Sequence, residues 1–110
     1  MYPNKVIRPC VAGLAIFGIA IADARADRPA ELIRLVRQDC GSCHGLTLQG
    51  GLGPALTPAA LRDRPPEALF VAILHGRTGT PMPPFRGILD ETDARWIVAK
   101  LLAGFPQEAH

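Results

Sequence analysis

A Cys-Gly-Ser-Cys-His segment at residues 40–44 constrains this chain more than any other feature. Two thiols three positions apart can form thioether bonds with the two vinyl groups of one haem. The histidine that follows directly is then held close to the iron. The spacing of Cys40, Cys43 and His44 therefore predicts one covalently attached haem c, with the His44 imidazole as an iron ligand.

Other uses of the same residues fit less well. A thioredoxin-like redox pair is expected after a strand and within a βαβ unit, which the surrounding sequence does not indicate. Structural zinc needs four ligands, and only His75 and His110 could add nitrogen to the set. A disulfide remains chemically open, but it would give the adjacent histidine no role.

The first 26 residues have the features of a secretory signal peptide. Basic Lys5 and Arg8 precede an apolar run over residues 10–22, and alanines at A-x-A spacing follow it. That run is shorter than the roughly 20 apolar residues that span a bilayer. We expect cleavage after Ala26, with Ala24 as the alternative, and a periplasmic domain of residues 27–110. An uncleaved membrane anchor is the competing interpretation.

Export also changes the charge balance of the protein. The whole chain carries a net charge of +2, and removing residues 1–26 brings it to zero. Nucleic-acid binding needs clustered positive charge, so a nucleic-acid partner is not expected. We expect a monomer without stable membrane insertion after cleavage, whose association with partners depends little on salt.

The pattern after residue 26 predicts an all-α fold. Apolar residues recur at helical spacing over residues 30–40, 63–76 and 90–104, and a short helical turn is expected at residues 58–62. Asp90 suits the N-cap of the third main helix, and a glycine follows each of the last two. No stretch alternates as a strand would.

The second iron ligand is expected far along the chain from the first. Met82 is the only methionine after residue 26, and it lies in a loop rich in proline at residues 77–87. Prolines on both sides stiffen the backbone and reduce the freedom lost when the loop orders. Met82 is therefore the predicted ligand opposite His44. His75 is the weaker alternative, because a residue at a helix end before Gly76 usually caps the helix or faces solvent.

These features together resemble the class I c-type cytochromes over nearly all of residues 27–110. The resemblance implies three main helices wrapped round one haem, and a Pro54 carbonyl that accepts the Nδ1 proton of His44. It also implies that the first and last helices cross and pack through Leu32, Leu35, Val36, Ile97, Val98 and Leu101. Lys100 departs from the pattern, because many relatives carry an aromatic residue there; Trp96 or Phe105 could replace it in part.

Two stretches, residues 50–56 and 72–85, are similar to those of the small cytochrome c-55X proteins. They also resemble the cytochrome domain fused to the haem d1 biosynthesis dehydrogenase. The resemblance implies a role in denitrification, with haem cd1 nitrite reductase or that dehydrogenase as the redox partner. A haem subunit of another respiratory oxidase or dehydrogenase, anchored if the leader is uncleaved, is the alternative.

Iron ligated by both His44 and Met82 has no open position for a substrate, so we expect an electron carrier rather than an enzyme. Electrons would pass at an exposed haem edge through a small transient contact with the partner. The expected apolar rim of that edge consists of Gly41, Ser42, Leu46, Pro83 and Pro84.

Overall fold

The computed structural model describes residues 27–107, together with Pro9, Gly13 and Gly18. The predicted signal peptide and its cleavage site therefore lie outside the described residues. Helices and loops make up the described part of the chain, and no strand occurs there, which confirms the all-α prediction. The elements are α1 (Arg28–Leu35), a π-helical turn (Val36–Cys40), α2 (Gly41–His44), α3 (Pro58–Leu61), α4 (Pro66–His75) and α5 (Glu91–Ala103).

The first helical stretch is longer than the sequence pattern indicated. It starts at Arg28, with Pro29 in the first turn where the missing N–H costs nothing, and it continues through the π-helical turn into α2. It ends at Gly45, whose φ of 89° is readily adopted only by glycine. Local π-helical geometry often occurs at functional sites, and here it ends at Cys40, the first cysteine of the motif.

The later helices begin and end at residues with recognisable capping chemistry. α4 starts at Pro66, three residues later than predicted, and Gly76 with a φ of 69° ends it. α5 begins with a capping box, in which the Asp90 carboxylate accepts the Asp93 N–H and Asp93 accepts the Asp90 N–H. Gly104 follows its last turn, as predicted.

One hydrophobic core joins all the main helices. The predicted contact between the first and last helices is present, because Leu32 and Val36 share the core with Ile97, Val98 and Leu101, while Leu35 is partly buried beside it. Two loop residues, Leu48 and Leu89, are also buried in this core, and the helical pattern did not identify them. Next to Lys100, Trp96 and Phe105 form an edge-to-face pair with ring centroids 6.2 Å apart.

Polar contacts fasten the first helical stretch to both ends of α5. Near the start of α5, the Arg28 guanidinium donates to the Asp93 carboxylate at 2.6 Å. Beyond its end, Arg37 donates to the carbonyls of Phe105 and Pro106, both at 3.0 Å. These contacts keep the residues that precede the Cys-x-x-Cys-His motif in a defined position on the core.

Candidate haem site

The two cysteines lie three positions apart, on the same side of the helix, at the end of the first helical stretch. Cys40 is the last residue of the π-helical turn and is half-buried, whereas Cys43 lies in α2 and is exposed. No disulfide joins them. The Ser42 hydroxyl donates to the Asp39 carbonyl at 2.8 Å, which helps to hold the short α2 turn between them.

The environment of Cys40 does not suit a thiol–disulfide catalyst. Burial, followed by the charge of Asp39, raises the pKa of the Cys40 thiol to about 11. Reactive redox cysteines instead have a lowered pKa, because the thiolate is the attacking form. Together with the absence of strands in the part of the chain that is described, this argues against the thioredoxin-like interpretation.

The orientation of His44 is set by one short hydrogen bond. Its Nδ1 atom lies 2.6 Å from the Pro54 carbonyl oxygen. A carbonyl can only accept, so Nδ1 carries a proton, and in the neutral imidazole Nε2 keeps its lone pair. A backbone acceptor on one imidazole nitrogen is the usual arrangement in histidines that bind a metal through the other. The contact is the one that the cytochrome resemblance implies for Pro54.

The loop after His44 folds back onto the motif through glycines. The Gly50 N–H donates to the His44 carbonyl at 2.8 Å, and the Gly53 N–H donates to the Cys43 carbonyl at 2.8 Å. A Cβ atom at Gly53 would lie 2.8 Å from Cε1 of the His44 ring, closer than side-chain contacts allow. Gly53 thus leaves the space in which the imidazole lies, a role that the sequence pattern did not indicate.

Leu48 adopts an unusual backbone conformation in the same loop. Its φ is 61°, the left-handed region that costs a non-glycine residue about 1–3 kcal/mol. Its N–H donates to the Gly45 carbonyl at 2.7 Å, its carbonyl accepts from Leu56 at 2.8 Å, and its side chain is buried in the core. Burial of that side chain therefore holds the loop beside His44 in one conformation.

Met82 lies half-buried in a tightly bonded turn after α4. Its carbonyl accepts the Arg77 N–H at 3.2 Å, and its N–H donates to the Thr80 hydroxyl at 3.3 Å. The same hydroxyl donates to the Arg77 carbonyl at 2.7 Å. Gly76 closes the turn, because a Cβ atom there would lie 2.7 Å from the Met82 carbonyl oxygen. The backbone of Met82 is thus held independently of its side chain.

The segment after Met82 is attached to the end of α4. The Phe85 N–H donates to the Ile73 carbonyl at 3.0 Å, and the Arg86 N–H donates to the Leu74 carbonyl at 3.2 Å. Met82 thus lies in the loop of residues 76–90 between α4 and α5, the Met82 segment, whereas the Cys-x-x-Cys-His motif belongs to the first helical stretch. Two ligands that bind opposite faces of one planar group have to come from separate segments, and this condition is met.

Exposed apolar side chains occur in the loop after the motif and in the Met82 segment. Leu46 is 72% exposed and Leu52 is 95% exposed, while Pro83 and Pro84 are exposed in the Met82 segment. Gly41 is buried against Leu46, so its prediction as a rim residue is wrong. Sequence reasoning did not single out Leu52, although a leucine between two glycines in a loop was a usable signal.

The donor set fits a covalently attached haem. Two cysteines that form no disulfide lie, at the required spacing, directly before an imidazole whose Nδ1 donates to Pro54 and whose Nε2 is left for a metal. A thioether side chain lies on a separate, hydrogen-bonded segment. Neighbouring leucines supply the apolar surface that such a group needs on its faces and edges.

Comparison with known proteins decides the family. Residues 27–99 match the family described as cytochrome c oxidase, cbb3-type, subunit III. Cytochrome c55X of Pseudomonas aeruginosa is 56% identical over 79% of this chain and 73% of its own. The solved structure of the c-type cytochrome NirC has a TM-score of 0.70 and 58% identity, and covers 76% of this chain and 95% of its own.

The chain belongs to the cytochrome c55X family of c-type cytochromes. The cytochrome accordingly has the class I cytochrome c fold, carries covalently bound haem c with its iron, and is a mono-haem electron carrier. A third relative, dihydro-haem d1 dehydrogenase of Pseudomonas aeruginosa, is 41% identical over 87% of this chain but only 19% of its own length. Within the described residues, no helix is both long and apolar enough to span a bilayer.

Proposed function

We propose that this cytochrome is a periplasmic one-electron carrier of denitrification, with haem cd1 nitrite reductase or the dehydrogenase of haem d1 biosynthesis as its redox partner. The observation that carries the proposal is the His44 imidazole, whose Nδ1–H donates to the Pro54 carbonyl and leaves Nε2 for the iron, directly after two cysteines at the spacing of haem attachment. The signal peptide over residues 1–26 would deliver the chain to the periplasm, where it would act as a monomer.

Different residues of the site would bind the porphyrin, bind the iron and orient the imidazole. Cys40 and Cys43 would form the thioether bonds, and His44 and Met82 would bind the iron. The iron supplies one-electron oxidation and reduction. The Pro54 carbonyl orients the imidazole and makes it a stronger ligand.

The two residues that would bind the iron, His44 and Met82, also determine the type of chemistry. When His44 and Met82 both bind the iron, no position remains for a substrate, and a methionine ligand raises the reduction potential relative to a second histidine. The hydrogen bonds of Thr80 and Arg77 keep the Met82 backbone in place, which makes escape of a weak thioether ligand less frequent. These features favour electron transfer over catalysis.

Apolar side chains near the motif are suited to a brief contact with a partner. Leu46 and Leu52 project from the loop after His44, and Pro83 and Pro84 are exposed beside Met82. Redox encounters bury small areas, below about 1,200 Å², and must dissociate quickly. A small apolar surface on a domain with no net charge after cleavage meets both requirements.

The choice of partners rests on the family relatives. Dihydro-haem d1 dehydrogenase contains a segment that is 41% identical to this cytochrome and makes up 19% of its length. A domain that is fused to an enzyme in one protein and separate in another often serves the same exchange of electrons. The second candidate is an oxidase subunit, which the description of the matching family favours.

Rapid-mixing kinetics can separate these candidates. The reduced cytochrome would be mixed with haem cd1 nitrite reductase, the oxidised cytochrome with the dehydrogenase and its reduced substrate, and the reduced cytochrome with a cbb3-type oxidase. We expect fast electron transfer with one of the first two partners and slow transfer to the oxidase. The reverse order of rates would overturn the proposed partners, and N-terminal sequencing that begins before Arg25 would overturn the cleaved leader.

A matched pair of variants tests the contact surface. Leu52→Lys introduces a charge at a side chain that is 95% exposed, so folding should be unaffected. It should slow oxidation by the partner roughly tenfold, the effect of losing about 1.4 kcal/mol at the contact. Ala99→Lys adds the same charge on the exposed side of α5 and should change the rate less than twofold. Equal rates for the two variants would exclude Leu52 from the contact.

A further inference from the structure

Arg28, the first residue of α1, connects segments that are far apart in the sequence. Its Nε donates to Asp93 Oδ1 at 3.1 Å, and its Nη2 donates to Asp93 Oδ2 at 2.6 Å. The same Nη2 donates to the Ile88 carbonyl at 3.1 Å, and Nη1 donates to Glu31 at 2.9 Å. The planar guanidinium thus joins α1, the start of α5 and the loop between α4 and α5.

Asp93 depends on this arginine. It is the buried charged residue of the described part of the chain, with 6% of its surface exposed. Besides the guanidinium, its Oδ2 accepts only the Asp90 N–H, at 3.0 Å, among the hydrogen bonds found in residues 27–107. Loss of the cationic partner of a buried carboxylate strongly destabilises the folded protein. The position of Arg28 is therefore tightly defined by the capping box of α5.

Ile88 is the point at which the same guanidinium reaches the Met82 segment. The N–H groups of Ile88 and Leu89 donate to the Phe85 carbonyl at 2.9 and 2.8 Å, which forms a turn. The start of the segment is bonded to α4 through the Gly76 N–H, and its middle through the N–H groups of Phe85 and Arg86. The Arg28–Ile88 bond adds an attachment beyond Arg86, to α1 and α5, so the far end of the segment that bears Met82 is held as well.

We propose that Arg28 is a positioning residue for the axial ligand Met82. Its guanidinium fixes the end of the Met82 segment to α5 through Ile88 and Asp93, and so sets how often the thioether leaves the iron. The inference rests on the ligation of iron by Met82 under the proposed function.

A purely structural ion pair between α1 and α5 would behave differently. Its loss would lower the stability of the whole domain and leave exchange at the iron unaltered in the folded protein. A positioning role links Arg28 to the local release of Met82, because the Ile88 carbonyl would lose its donor. Lysine could retain the charge toward Asp93, but one ammonium cannot reproduce the planar fork that serves both acceptors.

Competition between Met82 and added imidazole measures this local release. Imidazole binds the oxidised iron when the thioether leaves, and the weak red absorption band of sulfur–iron ligation then disappears. The imidazole dissociation constant would be measured by titration for the haem-loaded wild type, Arg28→Gln and Arg28→Lys. We expect roughly tenfold tighter imidazole binding for Arg28→Gln, because the open state becomes more populated. Arg28→Lys should lie between it and wild type.

Two controls separate positioning from stability. Arg95→Gln removes an exposed ion pair with Glu67, at 3.2 Å, that joins α4 to α5 without touching the Met82 segment. Ile97→Val removes a methylene group from the core and lowers stability without altering a hydrogen bond. Both should bind imidazole within twofold of wild type, whatever their unfolding midpoints.

The outcomes distinguish the inference from the proposed function. Unchanged imidazole binding in both Arg28 variants, with a normal red band in wild type, would overturn the role of Arg28 and leave Met82 ligation intact. An equal change in Ile97→Val would also overturn it, because the effect would follow stability alone. A wild type without the band would overturn Met82 ligation and the inference together. If Arg28→Gln does not fold, Arg28→Lys alone carries the comparison.

Discussion

Replacing Gly53 by alanine should disturb the His44 imidazole more than any other change of comparable size in the loop beside it. The new Cβ atom would lie 2.8 Å from Cε1 and 2.9 Å from Nδ1 of that ring. Carbon atoms pack best at about 3.5–4.0 Å, so the ring or the loop would have to move by roughly 0.7 Å. The ring is held by the Pro54 carbonyl, and the loop is held by its bond to Cys43, so neither can move freely.

The cost of this clash can be placed in a range. Overpacking a well-packed site costs about 1–3 kcal/mol. In a domain of this size, each kcal/mol lowers the melting temperature by about 4–8 °C. A displaced ring would also weaken the hydrogen bond that makes His44 a strong ligand, which disfavours oxidised iron relative to reduced iron. The reduction potential of Gly53→Ala should therefore rise.

Two other glycines provide matched controls for the melting curves and the redox titrations. A Cβ atom at Gly87 meets nothing within 4 Å and φ is ordinary, so Gly87→Ala should be neutral or slightly stabilising. Gly79 is equally open but has a φ of 78°, so Gly79→Ala isolates the backbone strain, worth about 1 kcal/mol. The close packing of Gly53 on the His44 ring would be refuted if Gly53→Ala had the melting temperature of Gly87→Ala and the reduction potential of wild type.

Two further predictions concern Met82 and the start of α5. Thr80→Val removes the hydroxyl that donates to the Arg77 carbonyl at 2.7 Å and accepts from the Met82 N–H, so it should lower the free energy of unfolding by about 1 kcal/mol and tighten imidazole binding. Thr80→Ser keeps a hydroxyl and should restore both properties. Equal imidazole titrations for the two variants would contradict this. Hydrogen bonds from Arg28 lower the pKa of Asp93 below its usual value. The ionised carboxylate therefore stabilises the fold above about pH 4, and this stabilisation is lost as the pH falls through the lowered pKa. Urea unfolding at a series of pH values should show a stability gap between wild type and Asp93→Asn that shrinks in acid, and a constant gap would exclude this origin.

The glycines and capping residues at helix ends were predictable because their effect is local. Asp90 and Asp93 cap α5 through bonds that cross only three positions, and Gly76 ends α4 by a backbone conformation that its own lack of a side chain permits. The start of α4 was predicted three residues before Pro66, because several residues of that stretch could equally begin a helix.

The sequence by itself determined the type of cofactor and the residues proposed to hold it, because the spacing of Cys40, Cys43 and His44 leaves thiols and imidazole within a few residues of one another. Only the tertiary structure decided how these groups are held. The left-handed Leu48, the burial of Gly41 and the pairing of Arg28 with Asp93 across 65 positions depend on which surfaces meet in the core. Local spacing cannot specify such contacts, since their free energy comes from burial and from partners that approach only when the whole chain has folded.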